Sequence, residues 1–224
     1  WAKKMGIRLV NYNPDNTFIF SGSGSGNRNV TASIPLYDLH FTYNLEVKKR
    51  LENEYHASTA FLPFGFDLKD DLFRNCADQK EILKVCFAGN PDANRAAFIR
   101  RLAEAGLQVD LYGNNWGRFV RHPSVAVFSA VYGDEFWKVL RRYRVQLNLM
   151  RLHNEDSHNM RSFEIPGVGG IMLAPNTIEH RMFFDDGLNA FLFNDRDDCI
   201  RLARYILEMP TAHAELVRQK ARKH

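Results

Sequence analysis

The sequence predicts an α/β fold in two domains, on three observations. Short apolar runs alternate with amphipathic helical segments along almost the whole chain. Such alternation implies parallel sheets covered by helices on both faces. A polar, charged stretch from Asp67 to Lys84 reads as a linker and divides the series in two. The chain opens on Trp1 rather than Met, and its first series holds only three strand-like runs, so the N-terminal domain is expected to be incomplete.

In the first series, Ile7 to Asn11 reads as a strand that ends at the turn residues Asn13-Pro14-Asp15-Asn16. Ser21 to Asn29 has no apolar side chain to bury and reads as a flexible loop. Asp38 to Thr42 is a second strand, Leu45 to Tyr55 a helix and Thr59 to Pro63 a third strand. The second series begins with a strand at Lys84 to Ala88. A helix from Asn94 to Ala105 follows, with Ala97, Ile99, Leu102 and Ala105 at helical period, and Gly106 stops it. Val109 to Tyr112 is a strand. Asp134 to Tyr143 is a helix with Phe136, Trp137, Val139, Leu140 and Tyr143 on its buried side. Val145 to Met150 is a strand, and a short helix starts near Ser157 or His158. Strands at Ile171 to Ala174 and Ala190 to Phe193 precede helices at Arg196 to Glu208 and Ala212 to Lys223. The expected boundaries are 1–75 for a partial first domain, 76–210 for the second and 211–224 for a terminal helix.

A content of 45% hydrophobic and 25% charged residues is that of an ordinary globular chain. The longest apolar stretches, such as Val125 to Val131, fall far short of the roughly 20 residues that cross a bilayer as a helix. The first ten residues lack the pattern of a signal peptide. Cys76, Cys86 and Cys199 are odd in number and form no Cys-x-x-Cys pair, which argues against a disulfide framework and structural zinc. A cytoplasmic setting is expected. The net charge is +4, and basic residues cluster at Lys48-Lys49-Arg50, Arg100-Arg101, Arg141 to Arg144 and Arg218 to Lys223. Each run reads first as a solvated helix face. Aromatics are not interleaved with them as a nucleic-acid stacking platform requires, so no nucleic-acid partner is expected.

In open α/β sheets, ligands bind outside the carboxyl ends of the strands. The residues there are Gly89-Asn90, Gly113-Asn114, Asn148 to Arg151 and Pro175-Asn176, small, amide and basic, which suits an anionic, hydroxyl-rich ligand. Turn preference alone also explains the Gly and Asn. The segment Asn154 to Gly170 says more. Ser157 can cap a helix beginning at His158, whose amino end would suit a phosphate. Arg161 adds a forked cation, and Glu164, three residues on, lies on about the same face. Together they can read a phosphate and a ribose diol. An ion pair between Arg161 and Glu164 on an exposed helix face is the competing reading of the same spacing.

The run Met160-Arg161-Ser162-Phe163-Glu164, then Gly167 and Gly169 to Ala174, resembles the C-terminal domain of the CgeB-like (spore maturation protein) glycosyltransferases. The resemblance continues through Phe183-Phe184 and Gly187 into Phe191 to Asn194. Upstream it takes in Cys86 to Asn90 with Arg95, and Leu111-Tyr112-Gly113. Val10 to Asp15, Tyr37-Asp38 and Leu62 to Gly65 look like the end of that family's N-terminal domain. The order of these motifs, more than any one of them, carries the resemblance. It implies two Rossmann-like domains of the GT-B type and a nucleotide-sugar donor. It also implies paired acids with seven residues between them, which fall on Glu164 and on Asp156, one methylene shorter than the family's glutamate. Pro166 departs from the family pattern and should shorten or kink the helix.

The activity expected is transfer of a sugar from a nucleotide diphosphate to a glycan, protein or small-molecule acceptor. The departing diphosphate must be stabilised, and Arg95 and Arg161 are expected to do so, with Arg151 as a weaker third. The base is expected near Val131-Tyr132-Gly133, with Tyr112 as a stacking partner or a core residue and Gly89, Asn90, Gly113 and Asn159 around the ligand. Asp15 is the candidate general base and His158 a candidate contact to sugar or phosphate. No metal or other cofactor is expected, since Asp185-Asp186 and Asp197-Asp198 are adjacent pairs near helix starts, where carboxylates cap. A nucleotide-sugar epimerase and a non-catalytic nucleotide- or glycan-binding module are the alternatives. A dehydrogenase is disfavoured, because Gly167-Val168-Gly169-Gly170 precedes a strand and lacks the Gly-x-Gly-x-x-Gly spacing.

Overall fold

A computed structural model describes residues 3–20, 26–151 and 156–223. The chain forms two compact units, Trp1–Phe64 with Leu152–His158, and Gly65–Arg151 with Asn159–His224.

The N-terminal unit holds a three-stranded parallel sheet in the order β1 (Val10–Asn13), β2 (Leu39–Thr42), β3 (Thr59–Phe61). Strand β1 starts later than expected, because Leu9 is already tied to Asp38, whose carboxylate accepts its N–H at 2.7 Å. Helix α1 (Arg28–Ser33) was not expected. Asn27 caps it, its Oδ1 accepting from the N–H groups of Asn29 and Val30, so the anticipated loop is helical at its end. The rest of that loop, residues 21–25, lies outside the described residues. Helix α2 (Leu45–Tyr55) is capped by Asn44 and buries Val47 and Leu51 against Ile34.

The C-terminal unit is a six-stranded parallel sheet. Its strands are β4 (Ile82–Ala88), β5 (Val109–Tyr112), β6 (Val125–Phe128), β7 (Tyr143–Leu147), β8 (Met172–Pro175) and β9 (Phe191–Phe193), in the spatial order β6-β5-β4-β7-β8-β9. Counted from β4, that is 3-2-1-4-5-6. The order reverses between β4 and β7, and a crevice opens outside the carboxyl ends of those two strands. Successive side chains point to opposite faces. Val85, Leu111, Val145 and Leu173 therefore meet Ile99 of α4 (Ala93–Glu104) and Ala203 of α8 (Arg196–Glu208) in one core. Cys86, Tyr112, Tyr143 and Met172 meet Leu140 of α5 (Gly133–Arg142) and Ile165 of α6 (Arg161–Gly167) in the other.

Several expectations are corrected. The supposed linker contains helix α3 (Asp70–Ala77), and Leu68, Leu72 and Cys76 pack into the second core. The division of the chain thus falls after Phe64, not after residue 75. Strand β6 and helix α7 (Ile178–Phe183) were not anticipated. Helix α6 begins at Arg161 rather than His158, and its N-cap position, Met160, makes no side-chain cap. Pro166 lies in its last turn. The helix then ends in a paired cap, Gly170 N–H donating to Ile165 O and Gly169 N–H to Pro166 O, with Gly169 at φ 75°. A Cβ on Gly170 would stand 2.9 Å from the carbonyls of Ile165 and Leu140. These constraints account for glycines that match no dinucleotide fingerprint.

Two of the basic runs are not solvated faces. Arg144 and Arg218 are each 2% exposed and converge on Glu81. Arg218 also donates to Arg141 O and Gly169 O, and Arg222 to Gly167 O at 2.6 Å. Helix α9 (Thr211–Lys223), expected to stand apart, is thereby fastened to the end of α6. Among the described residues, no helix is long and apolar enough to cross a membrane.

Candidate functional site

The crevice between β4 and β7 is a cavity of about 290 Å³ whose described lining residues all belong to the C-terminal unit. Nine of the ten residues expected to bind the ligand line it: Gly89, Asn90, Arg95, Tyr112, Gly113, Tyr132, Arg151, Asn159 and Arg161. The tenth, Glu164, is 7% exposed and stands behind Arg161 in an ion pair with it. The pair exists, then, but in a half-buried setting rather than on an exposed face.

The loops after β4 and β5 form one wall. Gly89 N–H donates to Tyr112 O at 2.8 Å, and Gly89 O accepts from the Trp116 indole at 2.8 Å. A Cβ on Gly113 would lie 2.3 Å from Gly89 O, so this position tolerates no side chain. Asn90 Oδ1 accepts from Asn114 N–H and fixes the two loops together.

Arginines supply the charge. Arg95 projects from the first turn of α4, where Asp92 caps its N–H. Its Nη1 donates to Asn90 O at 3.1 Å and its Nη2 to Leu149 O at 2.7 Å, so it braces the β4 and β7 loops. Among the described residues its buried Nε finds no hydrogen-bond acceptor, though Asp92 Oδ2 lies 3.6 Å away in an ion pair. Burial lowers its pKa to about 10, Asp92 opposes that shift, and the neighbouring charges of Arg151 and Arg161 add to it. Arg95 is still a cation at neutral pH. Three mutually repelling guanidinium groups around one cavity are stabilised by an anion. Arg161 donates from Nε to Ala88 O at 3.2 Å, and its guanidinium lies 4.2 Å from the centroid of the Phe136 ring. Phe136, assigned from sequence only to the buried side of its helix, also lines the cavity. It lies one turn beyond Tyr132, and that spacing at a helix start was the available signal.

The amino end of α6 does not act as expected. The helix has only seven residues. The N–H of Ser162 donates to Asn159 O, and those of Phe163 and Glu164 to Met160 O, so these groups are satisfied within the chain. The positive character of the cavity comes from side chains.

Tyr112 is 6% exposed, stacked on Phe128 at 4.9 Å, and its hydroxyl meets Tyr143 and Arg142. It forms cavity wall and core at once, with one ring face already occupied. Tyr132 is 75% exposed at the cavity rim.

Asp15, Asp156 and His158 belong to the other unit. Asp15 is exposed in a turn, its N–H held by Asn13 Oδ1, and Asp156 is also exposed. His158 is corrected: it is fully buried, its Nε2 accepts from Phe64 N–H at 3.2 Å, and Tyr43, Phe61 and Phe64 surround the ring. It is a core residue of the N-terminal unit and presents no open edge to a ligand. Ser157, the expected cap, is buried beside it.

A parallel sheet with a cationic cavity at its switch point is the architecture of a nucleotide-binding α/β unit. Residues 95–224, more than half of the chain, match the glycosyl transferase-like family, and the chain belongs to that family. No curated protein matches in sequence. Among solved structures, TarM of S. aureus, in complex with fondaparinux, α-GlcNAc-glycerol and UDP, superposes with a TM-score of 0.72 at 10% identity, over 97% of this chain and 47% of that one. Sucrose-phosphate synthase from Thermosynechococcus elongatus gives 0.71 at 12% identity, over 97% and 62%. HepE of Anabaena, in complex with UDP-glucose, gives 0.70 at 12%, over 99% and 68%. At such identities these likenesses show the fold alone, an α/β fold of the GT-B type. The chain spans about half to two thirds of the length of these structures.

Proposed function

We propose that the cavity of the C-terminal unit binds the nucleotide diphosphate of an activated sugar, and that the whole protein transfers that sugar to an acceptor. The observation that carries this reading is the convergence of Arg95, Arg151 and Arg161 on a cavity at the sheet's switch point. The diphosphate would rest against Arg151 and Arg161, with Arg95 contributing charge from behind. Glu164 would aim Arg161, and its carboxylate has acceptor sites to spare for a ribose diol. The base would lie toward Ala130 to Gly133, with Tyr132 at its rim. Family membership and the UDP and UDP-glucose carried by two similar structures support a nucleotide-sugar donor. The narrower CgeB-like resemblance, Asp15 as base, Asp156 as sugar contact, a cytoplasmic setting and independence from metals all stay within this proposal.

Thermal unfolding with UDP, GDP, ADP and inorganic diphosphate tests the reading. A ligand at a hundred times its Kd adds about 2.7 kcal/mol to stability. For a unit of this size that raises Tm by roughly 5–10 °C. One nucleoside diphosphate should reach that range, and no shift with any of them would overturn the assignment. Turnover of the matching nucleotide sugar should survive excess chelator; loss that Mn²⁺ restores would refute metal independence. Donor incubated alone separates transfer from epimerisation, since an epimerase alters the sugar without releasing it.

A further inference from the structure

From Asn148 and Asn159 at the cavity wall a chain of buried polar groups runs back to Ser162 and His180, which the donor reading does not use. Ser162 and His180 are both fully buried, and Asn148 is 1% exposed. Ser162 directly follows Arg161 in α6, His180 lies in α7, and Asn148 follows the last residue of β7. His180 Nδ1 stands 2.7 Å from Pro175 O. A carbonyl only accepts, so Nδ1 carries the proton and, in the neutral ring, Nε2 is an acceptor. The Ser162 hydroxyl, 2.8 Å from Nε2, must therefore be its donor. With its one hydrogen committed, Ser162 Oγ accepts from Asn148 Nδ2 at 3.1 Å and from Asn159 N–H at 3.2 Å. Asn159 closes the circuit, its Nδ2 donating to Asn148 Oδ1 at 2.9 Å. With the ring neutral, the imidazole directs the Ser162 hydrogen toward Nε2 rather than toward Asn159 Oδ1, the longer alternative at 3.5 Å.

We propose that His180 is a positioning residue for the donor site. Through Ser162 it locks the start of α6 to the end of β7 and so holds the guanidinium of Arg161 at the diphosphate position. The claim rests on the donor reading above and deepens it. Arg161 opens a helix whose N-cap residue, Met160, makes no side-chain cap, while Asn159 Oδ1 accepts from Ser162 N–H at 3.2 Å. Beside the Arg161–Ala88 and Asn159–Asn148 bonds, the Ser162 relay ties this start to the end of β7 and to α7. A small displacement of a positioned charge is costly to binding, and the cost falls on the ligand's phosphates rather than on its base.

The test compares His180→Phe, which keeps the ring and removes both bonds, with His180→Gln, whose amide oxygen can again accept from Ser162. Each variant is titrated with UDP and with uridine by calorimetry, and folding is checked by thermal unfolding. The expected result for His180→Phe is a loss of roughly fivefold or more in UDP affinity with little change for uridine, and partial recovery in His180→Gln. The loss should vanish in an Arg161→Gln background, because the group being aimed is gone. Unchanged UDP affinity in a folded His180→Phe protein overturns the proposal, and so does an equal loss for uridine. If neither variant folds, ¹⁵N resonances of the wild-type imidazole decide: Nδ1–H with a bare Nε2 supports the relay, and the opposite tautomer refutes it. A wild-type protein that ignores UDP altogether instead removes the donor reading itself.

Discussion

Arg161 stands between two partners. In the free protein its charge is shared with Glu164 and with the face of Phe136; a bound diphosphate would compete for the same fork. Hydrogen bonds to charged groups contribute about 1.5–3 kcal/mol each. Arg161→Gln should therefore weaken UDP binding by roughly 10- to 100-fold in calorimetry while leaving the fold intact. Glu164→Ala should weaken it by more than tenfold and also lower stability by about 1–3 kcal/mol, since it strips a partly buried cation of its partner. Binding as tight as wild type in both variants would dismiss the charge-based site. Gly113→Ala tests the wall instead. With a Cβ 2.3 Å from Gly89 O, the two loops must separate, and overpacking of this kind costs about 1–3 kcal/mol. A urea midpoint equal to that of wild type would show that the wall yields without cost.

Among the elements, those with both a cap and a periodic face were readable in advance. Helix α8 has Asp195 as its side-chain cap and Cys199, Ile200, Ala203 and Ile206 on its buried side, and it occupies the residues expected of it. Helix α3 was not readable, because Leu72 and Cys76 are sparse apolar signals among charges. Strand β6 is half exposed at the sheet edge, and Val-Ala-Val-Phe lacks the alternation that marks a strand. The start of α6 was misplaced because Ser157 satisfies the local rule for a cap while the fold uses it as core. The half-buried Glu81 cluster is likewise invisible locally, since its members lie far apart in sequence. Glu81 keeps Arg144 when Arg218 is removed, so Arg218→Ala forfeits charge-assisted hydrogen bonds of about 1.5–3 kcal/mol each and should destabilise the protein by that order in denaturant melts. Burial pushes the Glu81 carboxyl up, but its bonds to Arg144 and Arg218 outweigh that and hold it below its ordinary value of 4.5. Its stabilising contribution is therefore complete above pH 4.5 and is lost as pH falls through the depressed folded value. In Arg218→Ala the acid limb of the stability profile should be shallower; an unchanged limb would show that Glu81 does not couple to folding.

At the scale of the molecule, the sheet order 3-2-1-4-5-6 puts the ends of β4, β5 and β7 at one crevice. Strand ends read from sequence as ligand loops were therefore brought together. Nine of ten expected binding residues met there, most of them chosen by a place after a strand or near the start of α6, with Arg95 and Tyr132 taken from the family resemblance. The three assigned to catalysis lie in the other unit: Asp15 was chosen by its place after the first strand, Asp156 by the resemblance and His158 by a helix start that the fold places three residues later. The relay through Ser162 and His180 escaped notice because hydrogen-bond direction depends on contacts between distant segments. Since every described lining residue of the cavity comes from the C-terminal unit, a fragment of residues 65–224 should bind UDP within about threefold of the full chain. That assumes the unit folds alone, as a separate core permits, and circular dichroism reads that directly. A folded fragment blind to UDP would mean that the cavity is not sufficient.

The grip of Arg218 and Arg222 on the carbonyls of Gly169 and Gly167 makes helix α9 a remote brace of the pocket. Replacing both arginines with Ala would release those carbonyls, loosen the segment bearing Arg161 and dull nucleotide affinity without touching the cavity wall.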